Sequence, residues 1–231
     1  MNIQDFIEAV ANRLIVSCQA LPGTPLDEPE IISAIAKSVE FAGAAGLRIN
    51  GVRDIKAVRR ESDLPIIGIQ KTDDRDGIYI TPKLEQAQAL YKAGASVIAL
   101  QATEPRIGDC TALRELIGGI HALGLGVIAD VSTLQEAENA VEMGADIVAT
   151  TLSGYTPQSR QLEGPDLELV KEIAAQKIPV IAEGRYHSPQ QVVEALESGA
   201  VSAVVGTMIT MPDRIAAHFI RYIETAAKKL D

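Results

Sequence analysis

The chain is 231 residues long and carries 31 Asp and Glu against 21 Lys and Arg, a formal net charge of −10 at pH 7. That acidity argues against a nucleic-acid partner, which demands a basic face, and requires any anionic ligand to be met by a few local cations. Hydrophobic residues make up 47% of the chain, with no Trp, 3 Phe and 5 Tyr, so the core is aliphatic, as suits the layered interior of a parallel barrel.

Met1 to Arg13 has neither a basic n-region nor a continuous apolar h-region. It reads as a short N-terminal helix and not as a signal peptide, which points to a cytoplasmic protein. The first apolar run is Leu14–Ser17, and Pro29 then opens a helix near Glu30–Phe41. Gly43-Ala44 precedes the run Leu47–Asn50, and Leu64-Pro65-Ile66-Ile67 makes a third strand. Pro82 opens a helix over Lys83–Lys92, followed by Gly94-Ala95 and Val97–Gln101. Gly126-Val127-Ile128-Ala129 is the fifth strand, and Thr133, with Glu136 three residues on, caps a helix over Leu134–Met143. Gly144-Ala145 leads into Ile147–Thr151, and Pro179-Val180-Ile181-Ala182 is the seventh strand. Ser188-Pro189 starts the next helix, Gly199-Ala200 precedes Ala203–Gly206, and Pro212 starts a final helix ending near Lys229.

The four Gly-Ala pairs recur about every 50 residues, a βαβα period, with glycine at the position past a helix end. The strands are continuous apolar runs, as expected when both faces are buried. Eight such alternations without a linker or composition break predict one α/β domain over residues 1–231, a (β/α)8 TIM barrel. An open doubly wound sheet is the alternative, and the quarter-barrel repeat favours closure. No apolar run approaches the ~18 residues that a membrane span needs. Cys18 and Cys110 give neither a disulfide framework nor a metal-ligand spacing.

In a barrel the reactive groups sit where strands end. Alternation along each strand puts Gln19 on the face of Ile15 and Ser17, Lys71 with Ile67 and Ile69, Asp130 with Ile128, and Glu183 with Ile181. If those aliphatics fill the interior, the four polar groups converge above them, with Arg48 and Asn50 joining from the second strand. Polar residues also mark where any strand becomes a loop, and that reading covers Gln19, Gln101 and Thr151. It covers Lys71, Asp130 and Glu183 less well, because charges above an apolar core need partners or a ligand. Parity turns Cys18 the other way, into the helix layer. Phosphate sites in barrels lie after strands seven and eight. Here those loops supply Gly184 with Arg185, and Gly206 with Thr207.

There is no G-x-G-x-x-G or Walker A run, and His121, His187 and His218 are isolated, so neither a nucleotide, a metal nor any other cofactor is expected. His121 and His218 fall in helices, and His187 lies two residues past Arg185.

Five segments carry a resemblance: Leu14–Gln19, Arg48–Gly51, Pro65–Ile69 with Lys71, Thr150–Thr156 and Ile181–Tyr186. They are similar, in order, to the N-acetylmannosamine-6-phosphate 2-epimerase family, over about Leu14 to Pro212. The resemblance implies a barrel of the ribulose-phosphate-binding type that interconverts N-acetylmannosamine 6-phosphate and N-acetylglucosamine 6-phosphate. It implies that Lys71 is the catalytic lysine and Glu183 a catalytic carboxylate. It implies sugar contacts from Gln19, Arg48 and Asp130, and phosphate contacts from Gly184, Arg185, Gly206 and Thr207. Three places depart from the family pattern. Gln101 stands where Asp is usual, Met211 where Arg is usual, and Thr72-Asp73-Asp74-Arg75 where another base and an aromatic are usual.

The chemistry follows from the substrate. The C2 proton of an aldose is acidic only beside a carbonyl, so the ring opens before a base can make the enolate. A desolvated lysine near a cation has the lowered pKa this requires. One base with a rotating substrate and two bases on opposite faces remain alternatives at this point. So do a different phosphosugar isomerase and a non-catalytic phosphosugar-binding protein. The helical tail from Ile215 to Lys229 is a candidate homodimer surface.

Overall fold

The computed structural model describes residues 1–72, 77–104 and 110–227. Eight parallel strands close a barrel in sequence order: β1 (Leu14–Cys18), β2 (Gly46–Asn50), β3 (Ile66–Ile69), β4 (Val97–Gln101), β5 (Gly126–Asp130), β6 (Ile147–Ala149), β7 (Val180–Glu183) and β8 (Ser202–Val205). The ring shuts where Leu14, Ile15 and Val16 pair with Ala203, Val204 and Val205.

Each strand buries both faces, and the two faces form two separate cores. Ile15, Ile67, Ile69, Ile128, Ile181 and Val204 belong to the cluster inside the barrel. Val16, Cys18, Leu47, Ile49, Ile98 and Val127 belong to the layer between strands and helices. The parity argument therefore holds at every strand used for it, Cys18 included. The four glycines of the Gly-Ala repeat, Gly43, Gly94, Gly144 and Gly199, have φ between 99° and 112°, the left-handed turn that ends a helix and starts the next strand.

The helices follow their punctuation. Pro29 opens α2 (Pro29–Phe41), after the short α1 (Ile3–Val10). The chain continues through α3 (Val52–Glu61), α4 (Leu84–Ala93) and α5 (Cys110–His121). Thr133 and Glu136 cap α6 (Leu134–Glu142) reciprocally, α7 spans Leu167–Ala175, and Ser188 with Gln191 does the same for α8 (Pro189–Glu197). The turn α9 (Thr207–Thr210) precedes α10 (Pro212–Ala227); Lys229, the expected end of that helix, lies outside the described residues. Phe6 and Val10 of α1 join the interior cluster with Ile15, so α1 plugs the N-terminal end of the barrel and leaves the other end open. Among the described residues no helix is long and apolar enough to cross a membrane.

One strand is shorter than its apolar pattern. The sequence extends β6 to Thr151, yet the ladder stops at Ala149. The Thr150 hydroxyl instead accepts from Glu183 N–H and donates to Glu183 C=O, both at 3.0 Å. A side chain that bonds the neighbouring strand's backbone in place of the ladder ends the strand and fixes where Glu183 begins its loop.

Candidate active site

The open C-terminal mouth holds a cavity of about 440 Å³. Of the residues expected there, Gln19, Arg48, Lys71, Glu183, Gly184, Arg185, Gly206 and Thr207 all line it. Asn50 and Asp130 do not. Asp130 is 0% exposed and lies behind Arg48, which is itself 1% exposed. The Arg48 guanidinium donates to both carboxylate oxygens of Asp130, at 3.0 and 2.7 Å, and makes an ion pair with Glu183 at 3.0 Å. The Thr151 hydroxyl donates to Asp130 at 2.6 Å and lies 3.3 Å from Glu183 Oε2. Two carboxylates thus share one guanidinium and one hydroxyl.

Lys71 follows β3 and is held through its backbone. Its N–H donates to the Asn50 side chain at 2.8 Å, and Lys71 bridges to Ile80 in antiparallel fashion. The side chain is accessible through the cavity mouth, but protein surrounds it. That burial, and then the positive charge of Arg48, hold its pKa below the usual lysine range, although Glu183 and Asp130 pull the other way. Burial pushes the Glu183 carboxyl up to about 7; Asp130 adds to the rise, while Arg48 opposes it. Burial works against the Arg48 charge, but Asp130 and Glu183 outweigh it and keep its pKa above the ordinary value. The mouth therefore brings a buried guanidinium together with a lysine whose pKa is lowered and a carboxyl whose pKa is raised, the pattern of groups that exchange protons.

At the other end of the cavity, Gly184 and Arg185 both have positive φ, 112° and 58°. This turn swings the Arg185 side chain onto the loop after β6. There its Nε donates to Gly164 C=O at 2.9 Å, and its guanidinium lies 5.6 Å over the Tyr155 ring. A Cβ on Gly154 would overlap that guanidinium, so only glycine leaves room for it. Gly206 packs against Ser17, and Gly206, Thr207 and Met211 complete this end. Among the described residues, the departure at Met211 leaves Arg185 as the arginine that lines this end of the cavity.

Gln101, the other departure, does not line the cavity: its carboxamide is committed to the loop after β3. The departures at Asp73, Asp74 and Arg75 lie outside the described residues, as does the Cys110 side chain. Cys18 is buried, which pushes its thiol up to about 12. His187 lines the cavity and stacks on His218 at 5.6 Å, while His121 is 2.9 Å from Asp146. The residues that sequence reasoning missed include Ser17 and Thr151 as wall residues, and above all Tyr79, Tyr155 and Thr210. Tyr79 and Tyr155 sit in loops where no periodicity aims a side chain.

Fold and site define a (β/α)8 barrel with an acid–base cluster at its open end and an arginine-bearing turn beside it. The family model described as "Putative N-acetylmannosamine-6-phosphate epimerase" (NanE) matches residues 32–225. The chain belongs to this family. It is 42% identical over 224 residues to a "Putative N-acetylmannosamine-6-phosphate 2-epimerase" of Caldanaerobacter subterraneus subsp. tengcongensis, covering 95% of this chain and 94% of that protein. It is 45% identical over 231 residues to the "Bifunctional enzyme NanE/NanK" of Brucella melitensis biotype 1, covering 98% of this chain but only 44% of that longer protein. A solved structure of the N-acetylmannosamine-6-phosphate 2-epimerase from Clostridium perfringens matches with a TM-score of 0.88 at 42% identity, over 94% of this chain and 96% of that one.

Proposed function

We propose that this chain is an isomerase that inverts C2 of N-acetylmannosamine 6-phosphate to give N-acetylglucosamine 6-phosphate. The observation that carries the reading is the meeting, in one cavity, of a lysine with a lowered pKa, a carboxyl near neutrality and a buried guanidinium. Family membership supplies the substrate.

The geometry supports a division of labour. Glu183, protonated or ionised near pH 7, moves protons between the anomeric hydroxyl and the ring oxygen, which opens the pyranose to the aldehyde. The neutral Lys71 amine takes the C2 proton, and the electron pair of the C–H bond moves into the carbonyl to form an enolate. Arg48, kept charged by its carboxylates, stabilises the enolate oxygen. Return of a proton to the opposite face of C2 and ring closure complete a reaction that neither gains nor loses electrons. Asp130 holds Arg48 in place from behind. The Gln19 amide donates to Ser17 Oγ at 2.7 Å and leaves its buried carbonyl without a partner among the described residues, an acceptor suited to a sugar donor. Gly184, Arg185, Gly206 and Thr207 receive the phosphate.

Cytoplasmic placement belongs to the same reading. So does a homodimer: α10 exposes Phe219, Ile220, Tyr222 and Ile223, an apolar strip that a second copy would cover. The test of the activity is incubation with N-acetylmannosamine 6-phosphate in deuterium oxide. Formation of the epimer with deuterium at C2 is expected. Binding without exchange would leave only a phosphosugar-binding protein.

A further inference from the structure

Gln101 ends β4 on the same strand face as Val97 and Ala99, which fill the barrel interior, and it stands opposite Asp130 in the ladder. A polar side chain at that height belongs in the mouth, yet Gln101 is buried and away from the cavity. The segment Gly77–Ile80 covers it. The Gln101 Oε1 accepts from Tyr79 N–H at 2.9 Å, and Nε2 donates to Gly77 C=O and to the Thr103 hydroxyl, each at 2.8 Å. The Gln101 backbone N–H adds a bond to Ile80 C=O at 3.0 Å. On the far side Thr72 N–H donates to Tyr79 C=O at 2.9 Å. The Tyr79 backbone is thus held between the end of β4 and the residue after Lys71. Its side chain packs against the interior aliphatic cluster and lines the cavity.

The geometry points to Gln101 as a positioning residue that sets the Tyr79 side chain into the cavity wall, where the phenol hydroxyl donates a hydrogen bond to the bound phosphosugar. This rests on the proposed epimerase reading and adds to it a contact residue and the latch that holds it. A carboxamide suits the latch because it accepts from one backbone group and donates to another at the same time. An ionised carboxylate in its place accepts only and would face the Gly77 carbonyl without a proton between them. Burial, then Asp130, raises the Tyr79 pKa, so the hydroxyl keeps the proton it donates.

The test combines Tyr79→Phe, Gln101→Glu, Gln101→Met and the double variant Gln101→Met/Tyr79→Phe. Each receives a measurement of kcat and KM on N-acetylmannosamine 6-phosphate. The 13Cζ-tyrosine NMR resonance of Tyr79 is assigned by its disappearance in Tyr79→Phe. Tyr79→Phe should lower kcat/KM roughly 3- to 10-fold, as for loss of one hydrogen bond, and each Gln101 variant should do the same. The double variant should be no worse than the more affected single variant, because both changes remove one contact. In Gln101→Glu the Tyr79 resonance should move toward that of an exposed tyrosine and titrate at lower pH. Wild-type kcat/KM in Tyr79→Phe, losses that multiply in the double variant, or a Tyr79 resonance unmoved by Gln101→Glu would each overturn the assignment. If the Gln101 variants do not fold, Tyr79→Phe alone still decides the hydroxyl contact, and Thr103→Val, which removes one partner of the amide, decides the latch through the same resonance. A wild-type protein that turns over no N-acetylmannosamine 6-phosphate would count against the epimerase reading instead, while the resonance still reports on the latch.

Discussion

Arg48 and Asp130, 82 residues apart in the chain, meet at the end of the barrel as a two-point pair, with both carboxylate oxygens engaged and neither side chain open to solvent. Removing one partner of a buried pair strands the other charge. Asp130→Ala should therefore cost about 3–5 kcal/mol of stability, toward the lower end because Glu183 still faces Arg48. Urea denaturation measures it. A cost below 1 kcal/mol would mean that Arg48 finds water once Asp130 is gone.

Lys71→Ala should abolish both epimerisation and deuterium uptake at C2 while the fold and phosphosugar affinity survive. Loss of a general base typically costs ~10²–10⁴-fold. In the wild type only the neutral amine accepts the proton. The rate should therefore rise with pH up to a plateau reached below the ordinary lysine range, in keeping with the lowered Lys71 pKa. Undiminished C2 exchange in Lys71→Ala would transfer the base role to Glu183.

Glu183→Gln should slow turnover but retain part of the C2 exchange, since ring opening and hydroxyl proton transfer are its proposed work. It also carries a stability signature. The folded-state pKa of about 7 lies above the ordinary glutamate value of 4.5, so between those values the folded protein holds a proton that the unfolded chain has lost. Stability contributed by this group therefore falls as pH rises from about 4.5 to 7 and is level above. The stability of the wild type relative to Glu183→Gln should decline across that window. A rise there would show that Arg48 keeps the carboxylate ionised.

Gly154→Ala should behave as an Arg185 variant. At φ +80° an alanine is strained, and its Cβ would displace the guanidinium. Arg185→Ala should raise KM for the phosphosugar roughly 10- to 100-fold, the range for a charge-assisted hydrogen bond, and spare activity on the unphosphorylated sugar. Gly154→Ala should shift KM in the same direction. Met211→Arg should tighten phosphosugar binding. Equal losses on both sugars in Arg185→Ala would place the phosphate elsewhere.

Phe6→Ala tests the plug at the closed end. The ring is fully buried in the interior cluster, so its loss should cost about 3–5 kcal/mol in chemical denaturation. KM should stay at the wild-type value, because the site lies at the opposite end.

The chain's own pattern was enough to locate the strands, favour a closed barrel and aim several side chains at the mouth. The Gly-Ala repeat, the apolar runs and the two-residue alternation are local, and parallel strands buried on both faces leave few other ways to use them. Gln19, Lys71 and Glu183 were legible for that reason. What the sequence left open was set by contacts between distant strands. Parity aimed Asp130 upward but could not show that Arg48, from β2, covers it and removes it from the cavity. Gln101 shares that parity, yet the returning segment at Gly77–Tyr79 takes up its amide. Tyr79 and Tyr155 enter the wall from loops, where no period fixes direction. The lowered Lys71 pKa and the raised Glu183 pKa belong wholly to the assembled mouth, because desolvation and the field of Arg48 exist only once β2, β3, β5 and β7 are brought side by side.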